Sequence, residues 1–174
     1  MFPIILTPQT TRLLLIGNGP LSDRRFAQLT AAGMPVTRFK STPPTAEQIS
    51  SAHIVYIADL PPAEAETLAR QCRTLGTLVN VEDVIELCDF HTPAILQRGD
   101  LLFSISTNGK SPALARRIKR VLERIFDARW SEKLDSIASI RKEWQAQGLS
   151  MKDIADRTDH ALTQNGWLPP ETDT

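Results

Sequence analysis

Leu13-Leu14-Leu15-Ile16-Gly17-Asn18-Gly19-Pro20-Leu21-Ser22 is the stretch on which the reading of the fold turns. Four aliphatic residues between Arg12 and Gly17 suit a short strand buried on both faces of a parallel sheet. The two glycines make a turn, after which Phe26, Ala27, Leu29 and Thr30 fall at helical spacing and Ala32-Gly33 supplies a stop. A strand that ends in a glycine turn and passes into a helix is the context a dinucleotide fingerprint requires. Gly17 serves the tight turn, Gly19 lets backbone approach a pyrophosphate, and the phosphate charge then meets the helix N-terminus. Ser22 stands at the third small position with a hydroxyl able to cap the helix, whereas Pro20 removes one amide. Read alone, the motif also fits a glycine turn in an α/β fold that binds nothing.

Outward from this unit the pattern repeats. Further strands are expected at residues 35–39, 53–57, 78–81 and 101–105, with a proline-marked loop at 40–46 and a helix at 63–75 capped by Gly76. Ser111-Pro112 opens another helix, proline being at home in a first turn, and it runs to about residue 126. Such alternation predicts right-handed βαβ units and an α/β, Rossmann-like, doubly wound parallel sheet. It stops near residue 127, beyond which Leu134, Ile137, Ala138, Ile140 and Arg141 keep helical spacing and Ser150 reads as an N-cap, so the C-terminal region is a small helical one. The tail 168–174, LPPETDT, reads as a frayed end.

Composition narrows the function classes. Twenty Lys and Arg balance twenty Asp and Glu, so no global field favours nucleic acid or a membrane surface. The first residues, MFPIILTPQTTR, lack a basic start and a cleavage site, and no stretch reaches the ~20 apolar residues of a membrane span. Cys72 and Cys88 show no metal-ligand spacing, and His53, His91 and His160 form no ligand pair. A cytoplasmic protein with reduced thiols and no bound metal is expected. The acid that often holds a ribose hydroxyl about 20 residues past the glycines is missing. Thr37-Arg38-Phe39-Lys40 stands there, cations that tolerate the extra phosphate of NADP or simply flank a surface strand.

Residues 78–117 carry a second constellation. In order come Val79-Asn80-Val81-Glu82-Asp83, Leu87-Cys88-Asp89-Phe90, Pro93, Ile105-Ser106-Thr107-Asn108-Gly109-Lys110 and Ser111-Pro112-Ala113-Leu114-Ala115-Arg116. With the glycine loop, this order and spacing resembles the N-terminal module of siroheme synthases, the precorrin-2 dehydrogenase family, over roughly residues 10–126. The resemblance implies an NAD-binding Rossmann-like domain at 1–112 and a helical dimerisation and substrate-site region at 113–174. It implies oxidation of precorrin-2 with hydride transfer to NAD, and in bifunctional members insertion of ferrous iron. It also implies a homodimer. By the same resemblance Asp83 matches the catalytic aspartate; by residue type alone it also fits a turn former that caps the next segment.

The expected cofactor contacts are Gly17, Asn18, Gly19, Pro20, Leu21, Ser22, Ser41, Thr42, Ala58, Asp59 and Leu60. The turn Ser106, Thr107, Asn108, Gly109, Lys110 and Ser111, with Arg116, offers hydroxyls, amides and cations to a polycarboxylate tetrapyrrole. Asp89, beside Cys88 and Phe90, reads as structural. Two departures from the family pattern stand out: only residues 41–52 separate the second and third strands, and an ATD-like turn appears as Ala58-Asp59-Leu60. A ferrochelatase without dehydrogenase activity, and a non-catalytic tetrapyrrole- or nucleotide-binding protein, are the alternatives.

Overall fold

A computed structural model of the chain describes residues 2–170, so most of the tail, 171–174, lies outside the described residues. The chain divides into two compact units between Thr92 and Pro93. In the first, β1 (Leu13–Ile16), β2 (Val36–Phe39), β3 (Ile54–Ile57) and β4 (Leu78–Val81) form a four-stranded sheet in the order β2-β1-β3-β4. Every pairing is parallel, with Ile16 level with Phe39 and Ile57, and Ile57 level with Val81. The connections are α1 (Pro20–Ala31), α2 (Ala46–Ser51) and α3 (Pro62–Thr74).

Alternation along the strands splits the core into two layers. Leu14, Ile16, Val55, Ile57, Val79 and Val81 pack with Ile49 of α2 and Ala65, Leu68, Ala69 and Cys72 of α3. Leu13, Leu15, Ile54 and Tyr56 face Phe26 and Leu29 of α1. Burial on both faces explains why β1 and β3 read as continuous apolar runs. Each fully buried aliphatic side chain among them contributes about 1.5–3 kcal/mol of transfer free energy. The Rossmann-like expectation therefore holds.

The short segment between β2 and β3 forms α2 instead of a further strand. Thr45 accepts from the Gln48 amide while Gln48 accepts from the Thr45 amide, a reciprocal cap that starts a helix of six residues.

In the second unit β5 (Ala94–Arg98) and β6 (Leu101–Ile105) make an antiparallel hairpin, followed by α4 (Pro112–Ile125), α5 (Trp130–Ala146) and α6 (Met151–Gln164). The expected fifth strand at 101–105 thus pairs with β5 and does not join the parallel sheet. The division between units also falls earlier than the expected 112/113 boundary, because the hairpin packs on α4. Leu96, Ala115, Trp130 and Ile154 are buried here. Phe103, Phe126 and Trp130 stack with centroids 4.5 and 4.9 Å apart, and the Lys133 ammonium lies between the Trp130 and Trp167 rings at 4.6 and 5.4 Å.

Candidate active site

Strand order reverses between β1 and β3, and the crevice beyond their C-terminal ends is where open α/β sheets take ligands. The loops after these two strands are in close contact. Gly17 has φ 138°, and a Cβ on it would lie 1.7 Å from the Ala58 carbonyl oxygen; one on Gly19 would lie 2.6 Å from Asp59 Cγ. Both glycines are thus demanded by the approach of the β3 loop. Asp59 adopts a left-handed φ of 57°, and its Oδ2 accepts the Ser22 amide at 2.7 Å.

The Ser22 hydroxyl does not cap α1. It donates to the Gly17 carbonyl at 2.9 Å and accepts from Arg38 Nη2 at 2.9 Å, while the N-cap position is Gly19. Arg38 also pairs with Asp23 at 2.7 Å and lies over the Phe26 ring. Asn18 and Pro20 are exposed, Leu21 is half-buried, and Ser41 and Thr42 are exposed just past β2. Beside the loops a cleft of about 100 Å³ is lined by residues that include Ala58, Asp59, Leu60, Val81 and Glu82. The switch point, the glycines and the helix start are the parts that cradle a cofactor diphosphate. They fit one in kind, with the Ser22 amide taken by Asp59.

The turn after β4 is built differently. The Glu82 amide donates to the Ile57 carbonyl at 2.8 Å, and Asp83 follows with φ 63° and an exposed side chain. Glu82 Oε1 accepts from Arg24 and Oε2 from Arg25, each at 2.6 Å. The side chains of Glu82 and Arg25 are each only 10% exposed, so this is a largely desolvated pair. Burial works against the Glu82 charge, but the hydrogen bonds and charges of Arg25 and Arg24 prevail and hold its carboxyl below the usual range. Arg25 stacks over Tyr56 at 5.1 Å, and Tyr56 meets Phe90 edge-on at 5.4 Å. Two arginines of α1 therefore fix the turn that carries Asp83. This clamp of Glu82, Arg24, Arg25 and Tyr56 is absent from the sequence reading, since nothing local announces a partner 57 residues away.

The second constellation also has a structural core. Asp89 Oδ2 accepts the Val79 amide at 3.0 Å and Oδ1 pairs with Arg73 at 2.8 Å, the structural role expected of it. The Asn80 amide group donates to the Phe90 carbonyl at 2.8 Å, and the Cys88 thiol lies 3.2 Å from the carbonyls of Val81 and Val84. Burial raises the Cys88 thiol and pushes Cys72 up to about 11, the Asp89 charge adding to both, so neither is poised as a nucleophile. His53 Nδ1 accepts the Arg12 amide at 3.1 Å. Among the described residues no group of three or more His, Cys, Asp or Glu gathers to hold a metal.

In the second unit, the turn before α4 has consecutive left-handed residues, Asn108 at φ 53° and Gly109 at φ 74°. The Ser106, Thr107 and Ser111 hydroxyl oxygens accept the amides of Asn108, Ser111 and Leu114 at 3.1–3.2 Å. Their oxygens are engaged inward, and each hydroxyl still has a proton to donate. Lys110 and Arg116 are exposed.

Comparison with known proteins follows this division closely. A family model described as "Putative NAD(P)-binding" matches residues 4–94, nearly the extent of the first compact unit, which ends at Thr92. The chain belongs to that NAD(P)-binding family. A second model, "Sirohaem biosynthesis protein central", matches residues 98–125 of the second unit. Curated relatives include the siroheme synthase of Methylobacillus flagellatus, 26% identical over 159 residues that make up 80% of this chain and 34% of that protein. The siroheme synthase of Psychrobacter cryohalolentis is 30% identical over 146 residues, 72% of this chain and 28% of that protein. This NAD(P)-binding family member spans about a third of the length of those relatives. A solved structure of SirC, precorrin-2 dehydrogenase, shares the fold with TM-score 0.68 at 18% identity, covering 92% of this chain and 88% of that one.

Proposed function

We propose that the chain is an NAD-dependent precorrin-2 dehydrogenase of siroheme biosynthesis, cytoplasmic and homodimeric, with Asp83 as its catalytic carboxylate. The observation that carries this is the turn after β4: an exposed Asp83 in a left-handed conformation at the carboxyl end of a parallel strand, next to a Glu82 fixed by two arginines. It is supported by siroheme synthases among the relatives and by the SirC fold.

The nicotinamide supplies a hydride acceptor. Removal of two hydrogens from the macrocycle then leaves one proton, which the Asp83 carboxylate accepts and passes to water. Gly17 to Leu21, with Ala58, Leu60, Ser41 and Thr42, would hold the cofactor. The hydroxyls of Ser106, Thr107 and Ser111, with Asn108, Gly109, Lys110 and Arg116, would meet substrate carboxylates. Purified protein mixed with precorrin-2 and NAD should generate NADH without iron. No NADH from precorrin-2, together with siroheme formation when sirohydrochlorin and ferrous iron are supplied instead, would leave a ferrochelatase; the Asp59 carboxylate on the Ser22 amide is the observation that favours this second reading.

The homodimer is supported by α4. Leu114, Ile118, Val121 and Ile125 are 50, 37, 40 and 56% exposed and alternate at spacings of four and three, an apolar seam of coiled-coil type. Light scattering should give twice the chain mass, and Ile118→Glu should shift it to one; a wild-type monomer would refute the pairing.

A further inference from the structure

We propose that Asp59 is an internal anion that competes with the cofactor diphosphate for the start of α1 and so sets how tightly this chain holds a dinucleotide. The inference rests on the glycine loop being the cofactor site. A helix start attracts anions through amides that have no partner within the helix. Here the supply is small. Pro20 has no amide hydrogen, and the Asp23 amide already donates to the Gly19 carbonyl at 2.9 Å. Gly19, Leu21 and Ser22 remain, and the Ser22 amide donates to Asp59 Oδ2 at 2.7 Å.

Ser22 is completely buried, so an incoming phosphate reaches its amide only after the carboxylate withdraws. The space that the missing side chain of Gly19 leaves open is likewise filled by Asp59, whose Cβ, Cγ and Oδ2 all lie within 2.9 Å of where a Gly19 Cβ would stand. Asp59 is itself exposed and can swing outward. Removing its charge keeps an anion-favouring site, because Arg38 Nη2 touches the Ser22 hydroxyl at 2.9 Å. The sequence places Asp59 among cofactor contacts; the geometry reverses the sign of its contribution.

Two substitutions respect the left-handed backbone at this position: Asp59→Asn, which tolerates positive φ and can still accept the Ser22 amide, and Asp59→Gly, which empties the site. Calorimetric titration of the full chain with NAD, ADP and adenosine reads the effect directly, and circular dichroism checks folding. Both variants should bind NAD and ADP roughly tenfold more tightly than wild type, the glycine variant gaining more. Adenosine, which has no phosphate, should bind all three proteins equally. The asparagine variant keeps the test valid should the glycine variant fail to fold. Unchanged or weaker NAD binding by the variants, with wild type binding, would overturn the role of Asp59 and leave the cofactor site standing. No binding of NAD or ADP by any of the three proteins would overturn both.

Discussion

Two turns leave the same edge of the parallel sheet and are finished in opposite ways. The loops after β1 and β3 close on each other, with Gly17 against the Ala58 carbonyl and the Asp59 carboxylate on the start of α1. The turn after β4 is anchored through Glu82 to Arg24 and Arg25, and this anchoring leaves the neighbouring Asp83 exposed. In the first case the acid completes the structure; in the second, one acid is committed to structure and the next is left exposed. Proximity to a strand end is therefore not enough to assign a carboxylate a role. What its oxygens already accept decides.

The largest expected effect separates the two turns. Asp83→Asn should lower turnover by about 100-fold or more and leave NAD affinity nearly unchanged, as steady-state kinetics and calorimetry would show. Loss of nucleotide binding in that variant would mean that the turns do not act independently. A smaller effect tests the anchor: Glu82→Gln leaves Arg25 desolvated without its counter-charge and should cost about 3 kcal/mol in urea denaturation. Unaltered stability would show that the pair does not hold the turn. The pH dependence is the mildest test of the same group. Because the folded Glu82 carboxyl lies below its unfolded value, its contribution is fully present above about pH 4.5 and is lost as pH falls through the lower, folded value. Wild type should therefore lose more stability over that acid range than Glu82→Gln does.

The parallel sheet was legible because burial on both faces leaves unbroken aliphatic runs in β1 and β3 that glycine or proline punctuates. Pro112 marked α4 and Ser150 marked α6 by local chemistry alone. Both α2 and β5 escaped. The six-residue α2 is too short for helical periodicity to register, although Thr45 and Gln48 spell its capping box. β5 has no clean alternation, and its signal is the Gly99-Asp100 dipeptide that turns it into β6. In the candidate site, motif order singles out Asp83 and the glycine loop. The partners of Glu82 and the direction of the Asp59 carboxylate depend on residues distant in sequence that only the folded sheet brings together.

The two cysteines bear on how this protein can be studied. Cys72, on α3, is buried in the core with a thiol that burial pushes up to about 11, and Cys88 is turned toward the carbonyls of Val81 and Val84. Near neutral pH neither competes well for an alkylating reagent. A single cysteine introduced at an exposed position on α5 can thus carry a spectroscopic reporter without first stripping the native thiols.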